Sequence, residues 1–166
     1  MPFFTSQDAL KLLPAVLVAA VIWLVVRHAA APDAPAAVLG ALHHATPATV
    51  ESITAYPLLP QRPGEAARPF QLRGAGVRVL LPGLHQLQPL AVDTARFQPL
   101  LETTLVVKLA ASLAADWHLH GRDVVLRLAT FGPQEVALRA QSRLVYQSTL
   151  LSRRVRQVRD SLQLAR

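Results

Sequence analysis

The sequence contains no cysteine, and this absence excludes three kinds of chemistry. Disulfide bonds, zinc sites built from thiolates and a cysteine nucleophile all require a thiol, so none of them is available to this chain. The absence does not identify a compartment, because an oxidising space tolerates a cysteine-free chain as readily as the cytosol does.

Aromatic and charged residues are also scarce. Aromatics make up 5% of the chain and charged residues 16%, against a usual charged share of about 25%. Proteins that bind single-stranded nucleic acid stack its bases on aromatic side chains, and Tyr146 is the only aromatic residue near the basic C-terminus. The composition therefore argues against nucleic acid as a partner.

Signatures of catalysis are missing from the sequence. There is no G-x-S-x-G nucleophile elbow, and the carboxylates are few and scattered. Gly74-Ala75-Gly76 lacks the further glycine and the helix start that a phosphate-binding loop needs. We therefore predict that the protein is not an enzyme and uses no cofactor.

A long apolar run is the most distinctive feature that is present. Ala9 to Val26 comprises eighteen residues with Lys11 as the one charge. A helix from Ser6 to Arg27 would extend about 33 Å, which exceeds the roughly 30 Å hydrocarbon core of a bilayer. Residues 1–28 are therefore predicted to form an N-terminal tail and a transmembrane anchor helix, with the lipid bilayer as a partner.

Two other interpretations of this run remain open, a cleaved signal peptide and a buried helix of a soluble protein. Within the run, Ala15 and Ala19 have the four-residue spacing that lets a second membrane helix approach closely. Lys11 and Arg27 nearly balance across the membrane, so the positive-inside rule decides little. Because the N-terminal tail is very short, we expect the N-terminus to be cytoplasmic and the domain to be periplasmic. The predicted location is therefore a bacterial inner membrane.

The rest of the chain predicts an α+β fold. Residues 29–46 are expected to form a linker and a short helix, and 47–146 a small antiparallel sheet packed with helices, in the order β-β-α-β-β-α. No internal repeat is evident. The predicted elements are strands at Val50–Tyr56 and Phe70–Leu81, a helix from Phe97 to Trp117, and a hairpin of Asp123–Thr130 with Glu135–Tyr146. The ring of Trp117 is expected to be buried against the sheet.

Residues 147–166 are predicted to form an arginine-rich amphipathic helix. From Arg139 to Arg166 the chain has seven arginines and one acid, which accounts for most of its formal net charge of +7. The apolar line of this helix is expected to pack either on its own sheet or on a partner. In the second case an acidic surface of another subunit would meet the candidate docking residues Arg153, Arg154, Arg156 and Arg159.

His118 and His120 are the best candidates for a metal site. On a strand, residues two apart share a face, so both imidazoles would reach one ion. A zinc site normally needs a third and a fourth ligand, and the sequence supplies none in a recognisable position. Solvated turn residues are therefore the favoured interpretation, with no metal.

These observations predict a non-enzymatic, single-pass membrane subunit that scaffolds or docks within a larger cell-envelope complex of the secretion, pilus or conjugation type. An accessory subunit of a respiratory or photosynthetic membrane complex is the second hypothesis. A membrane-tethered enzyme or metal-binding protein that uses His118 and His120 is the third.

Overall fold

The computed structural model describes residues 34–58, 67–92, 97–140 and 144–164. The predicted membrane anchor, with Ala15 and Ala19, lies outside these residues. Within these ranges, no helix is both long enough and apolar enough to cross a membrane.

Four α-helices, one 3₁₀-helix and seven strands occur in these ranges. The helices are α1 (Pro35–His43), α2 (Leu81–His85), α3 (Ala111–Asp116) and α4 (Thr149–Leu164), and the 3₁₀-helix is Gly74–Val79. The strands are β1 (Val50–Pro57), β2 (Phe70–Arg73), β3 (Gln88–Leu90), β4 (Leu100–Leu109), β5 (Asp123–Phe131), β6 (Gln134–Arg139) and β7 (Val145–Gln147).

All seven strands belong to one sheet in the order β2-β1-β4-β5-β6-β7-β3, and each neighbouring pair is antiparallel. This confirms the predicted class, an antiparallel sheet packed with helices. The two edge strands are the short β2 and β3, and β3 carries Pro89. Short edges and proline both limit pairing with other chains.

One face of the sheet carries the main core. Because side chains alternate along a strand, every second residue of β4 and β5 points to this face. Leu105 and Leu126 are completely buried there, together with Leu42 of α1, Leu84 of α2 and Leu151 of α4. The helices therefore cover one face of the sheet.

A smaller apolar cluster occupies part of the opposite face. Ala129, Val136 and Val145 form its buried centre. Phe97 packs on Phe131 with the ring centroids 4.8 Å apart. This face is thus apolar around β5, β6 and β7.

The predicted helix from Phe97 to Trp117 is wrong. The structure has strand β4 over Leu100–Leu109, followed by the short helix α3. A four-residue spacing of leucines marks one face of a helix, but four is also a multiple of two, so the same spacing fits one face of a strand, as Leu105 and Leu109 show. The β-branched pairs Thr103-Thr104 and Val106-Val107 favour the strand.

The predicted order β-β-α-β-β-α is also incomplete. The expected strand Phe70–Leu81 ends at Arg73, because Gly74 turns the chain with a φ of +52° into the 3₁₀-helix. The expected strand Glu135–Tyr146 is divided between β6 and β7. Strand β1, the β5–β6 hairpin, the short helix α1 and the C-terminal helix α4 are confirmed.

Candidate docking surface

Helix α4 packs on its own sheet. Its apolar line is buried, with Leu151 0%, Val155 2% and Val158 8% exposed. Leu162 continues the same line, but it is 43% exposed. The helix therefore belongs to the domain core, which decides between the two packing alternatives that the sequence left open.

The contact between α4 and α2 is close because α2 contributes a glycine. A Cβ placed on Gly83 would lie 2.6 Å from the Cα of Leu151, nearer than real Cβ atoms approach. Where α4 begins, the hydroxyls of Ser148 and Ser152 are 3.2 Å apart and buried. Backbone proximity and a satisfied polar pair thus fix the start of α4.

Arg156 joins α4 to two strands of the sheet. Its guanidinium donates hydrogen bonds to Glu135 of β6 and to Glu102 of β4, the latter with Nη1 and Oε2 3.4 Å apart. Glu102 lies where the β4–β5 register shifts, between Leu101 and Thr103. The hydrogen bond with Glu135 raises the pKa of Arg156, against the opposing effect of burial. Arg156 is therefore engaged within the domain.

Arg159 is also largely committed to its surroundings. Its side chain is 22% exposed, and its Nε lies 3.5 Å from the Oδ1 of Asp160 on the same helix. The Nε itself is buried and makes no hydrogen bond with the described residues, its contact with Asp160 being an ion pair only. This arginine therefore offers little free surface.

Arg153 and Arg154 differ from Arg156 and Arg159. Arg153 is exposed and Arg154 half-buried, and no carboxylate of the described residues pairs with either of them. The four predicted docking residues thus separate into two groups. Arg156 and Arg159 offer little free surface, whereas Arg153 and Arg154 make no ion pair with the described residues.

Positive charge exceeds negative charge over the described surface. Glu51 pairs with Arg122 at 2.7 Å and with Lys108 at 3.7 Å, so the three described glutamates are all engaged. Six arginines in the described ranges lie outside any ion pair: Arg68, Arg73, Arg78, Arg127, Arg153 and Arg154. The domain therefore presents uncompensated positive charge to its surroundings.

His118 and His120 lie in the turn after α3 and not on a strand. His118 has a φ of +52°, and the amides of His118 and Leu119 donate to Ala115 and Ala114 at 3.0 and 2.8 Å. This pattern is a Schellman motif, which ends a helix with a residue in the left-handed conformation. Both histidines are exposed, and no group of three or more metal-binding side chains occurs among the described residues.

Trp117 is half-buried and lies on helix α1, which corrects the expectation that its ring is buried against the sheet. Its ring lies against Gly40 of α1, where any Cβ would overlap it, and its centroid is 5.2 Å from that of the His44 ring. The tryptophan therefore packs α3 onto α1.

Sequence reasoning did not identify Glu102 and Glu135 as the partners of Arg156. The two glutamates are 54 and 21 residues from it along the chain, so no local spacing connects them.

Comparison with protein families, with curated proteins and with solved structures gives no match.

Proposed function

We propose that this protein is a non-enzymatic, single-pass membrane subunit of a larger cell-envelope complex of the secretion, pilus or conjugation type. In this proposal the apolar run Ala9 to Val26 anchors the chain in a bacterial inner membrane. The α+β domain lies in the periplasm and holds α4 in place, and α4 meets an acidic surface of a neighbouring subunit.

The observation that supports docking is the difference among the arginines of α4. A partner has to compete with Glu102 and Glu135 for Arg156, whereas no carboxylate of the described residues competes for Arg153 or Arg154. The buried line under α4 holds the helix on the sheet, so the two arginines are presented on a rigid support. A preorganised surface loses less conformational entropy on binding than a flexible one. The docking surface therefore centres on Arg153 and Arg154.

The test removes two charges from this surface and two from another. The full chain is solubilised from its native membranes in mild detergent, and the co-purifying subunits are quantified for Arg153→Gln/Arg154→Gln. A matched control, Arg73→Gln/Arg127→Gln, removes the same charge from exposed positions on β2 and β5.

We expect the α4 variant to lose its partner and the control to keep it. Raising the salt concentration should reproduce the loss, because exposed charge pairs are screened beyond about 8 Å at physiological ionic strength. Equal losses in both variants would indicate a general charge effect, and retention in both would refute docking through Arg153 and Arg154.

The membrane part of the proposal has a separate test. The chain should remain in membranes washed with carbonate, and protease added from the periplasmic side should digest the domain. Release by carbonate would refute the anchor, whereas protection of the domain would reverse the orientation.

A further inference from the structure

Helices α1 and α2 end with the same short pattern. Leu42–Ala45 and Leu84–Leu87 both consist of a buried leucine, a histidine, a residue of any type and a buried apolar residue. Both helices also carry proline in the first turn. The pattern is too short to stand out as a repeat in the sequence.

The backbone after the two histidines is nearly identical. His44 has φ −98° and ψ 5°, and Gln86 has φ −99° and ψ 6°. In each segment the amide of the last residue donates to the carbonyl of the leucine three residues earlier, at 3.3 Å in both cases. The two segments therefore have the same local structure.

Each histidine binds the other segment. The Nε2 of His43 lies 2.7 Å from the carbonyl oxygen of Leu87, and the Nε2 of His85 lies 2.7 Å from that of Ala45. Each acceptor is two residues after the opposite histidine. A carbonyl only accepts, so both rings carry their proton on Nε2. Such reciprocity, in which each partner makes the contact that it receives, is typical of a two-fold relationship.

The surroundings of the two segments correspond as well. Each helix carries one glycine on which a later side chain packs. Trp117, directly after α3, packs on Gly40 of α1, and Leu151 of α4 packs on Gly83 of α2. The first segment precedes β1, whose antiparallel neighbour β4 is followed by α3. The second segment precedes β3, whose antiparallel neighbour β7 is followed by α4. The two segments therefore resemble each other also in the order of the elements that follow them.

We infer that Leu42–Ala45 and Leu84–Leu87 form a reciprocal clasp that makes α1 and α2 open and close as one unit. Losing either histidine bond leaves a backbone carbonyl without its partner and loosens the contact that supports the other bond. α1 packs on the main core through Val38, Ala41 and Leu42, so opening of the clasp exposes this part of the core. The clasp is therefore a conformational device that controls how stably α1 packs on the core.

Hydrogen exchange of the full chain in mild detergent tests the inference, with the amides of Ala45 and Leu87 as reporters. His43→Phe and His85→Phe keep a ring but remove the donor. Each should accelerate exchange about tenfold at both reporters, the effect of losing one hydrogen bond to a buried acceptor.

Two further variants provide controls. His43→Gln keeps an N–H group that reaches about as far as Nε2, and it should restore most of the protection. His44→Phe changes the neighbouring histidine, whose Nδ1 binds Gly40 within its own helix, and it should leave the reporter at Leu87 unchanged. Acceleration confined to the segment that carries the substitution, or an equal effect of His44→Phe on Leu87, would overturn the clasp.

Discussion

Arg156 reaches two glutamates of the sheet, whereas Arg153 and Arg154, within one turn of it, meet no carboxylate of the described residues. The four candidate arginines look alike in the sequence. What separates them is the position of Glu102 and Glu135, which come from distant parts of the chain. A cluster of arginines on one helix therefore contains an arginine that pairs within the domain and arginines that no described carboxylate engages.

The comparison also changes what a substitution means. Replacing all four arginines would remove the ion pairs of Arg156 along with the proposed docking charges, so a loss of assembly would have two causes. Separate variants of the two groups distinguish folding from docking.

The largest loss of stability is expected from a substitution in the buried side of α4. Leu151→Ala deletes a completely buried side chain at the contact with α2 and should lower the free energy of unfolding by about 3 kcal/mol. Leu150→Ala, at the half-buried neighbouring position, is the control and should cost much less. Chemical denaturation followed by circular dichroism provides the measurement. Equal effects would show that α4 is packed differently.

An intermediate effect is expected at the contact between α2 and α4. Gly83→Ala places a methyl group against the backbone of Leu151, where relief requires a shift of the helix, and should destabilise the domain by about 2 kcal/mol. Gly121→Ala is the matched control, because nothing lies within 4 Å of its Cβ position. Denaturation midpoints of the two variants should differ clearly, and a neutral Gly83→Ala would contradict the close approach.

The smallest effect concerns a polar atom in the core that α4 covers. The hydroxyl of Tyr146 is buried and has no hydrogen-bond partner among the described residues, so Tyr146→Phe removes an uncompensated desolvation cost and should raise the free energy of unfolding at neutral pH by about 1 kcal/mol. If the variant is strongly destabilised, the hydroxyl has a partner.

The pH dependence of stability gives Tyr146→Phe a second readout. Burial raises the pKa of Tyr146 above its ordinary value of 10.0, and the nearby Arg139 opposes this. The neutral phenol is therefore favoured in the folded state, and this stabilisation is fully present below pH 10 and lost as the pH rises through the folded-state pKa. The wild type should lose stability above pH 10 more steeply than Tyr146→Phe, as measured by denaturation at a series of alkaline pH values.

Sequence reasoning succeeded where a pattern has one structural meaning. The apolar line of α4 recurs at alternating three- and four-residue spacings, which fit a helix and not a strand, and Leu151, Val155 and Val158 are buried as that requires. The β5–β6 hairpin was likewise predictable, because Gly132 provides the positive φ of its turn.

Prediction failed where the pattern is ambiguous or the partner is distant. A strict four-residue spacing, as in Leu101, Leu105 and Leu109, fits both a helix and a strand, and the β-branched residues between them were the better guide. The contacts of Arg156 and the reciprocal histidine bonds join residues 21 to 54 positions apart. The strand order, which places β4, β5 and β6 side by side, brings Glu102 and Glu135 together under α4. The contact between the ends of α1 and α2 brings the histidines to their acceptors.

The most direct test of the central claim is a double-mutant cycle in the full chain, combining Arg156→Gln with Glu135→Gln and measuring the free energy of unfolding. Arg156 is 38% exposed and Glu135 18%, so solvent screening reduces the interaction, and we expect a coupling of about 1 kcal/mol. The parallel cycle of Arg153→Gln with Glu135→Gln should give a coupling near zero. A coupling near zero for Arg156, or equal couplings for the two arginines, would contradict the division of α4 into structural and docking residues.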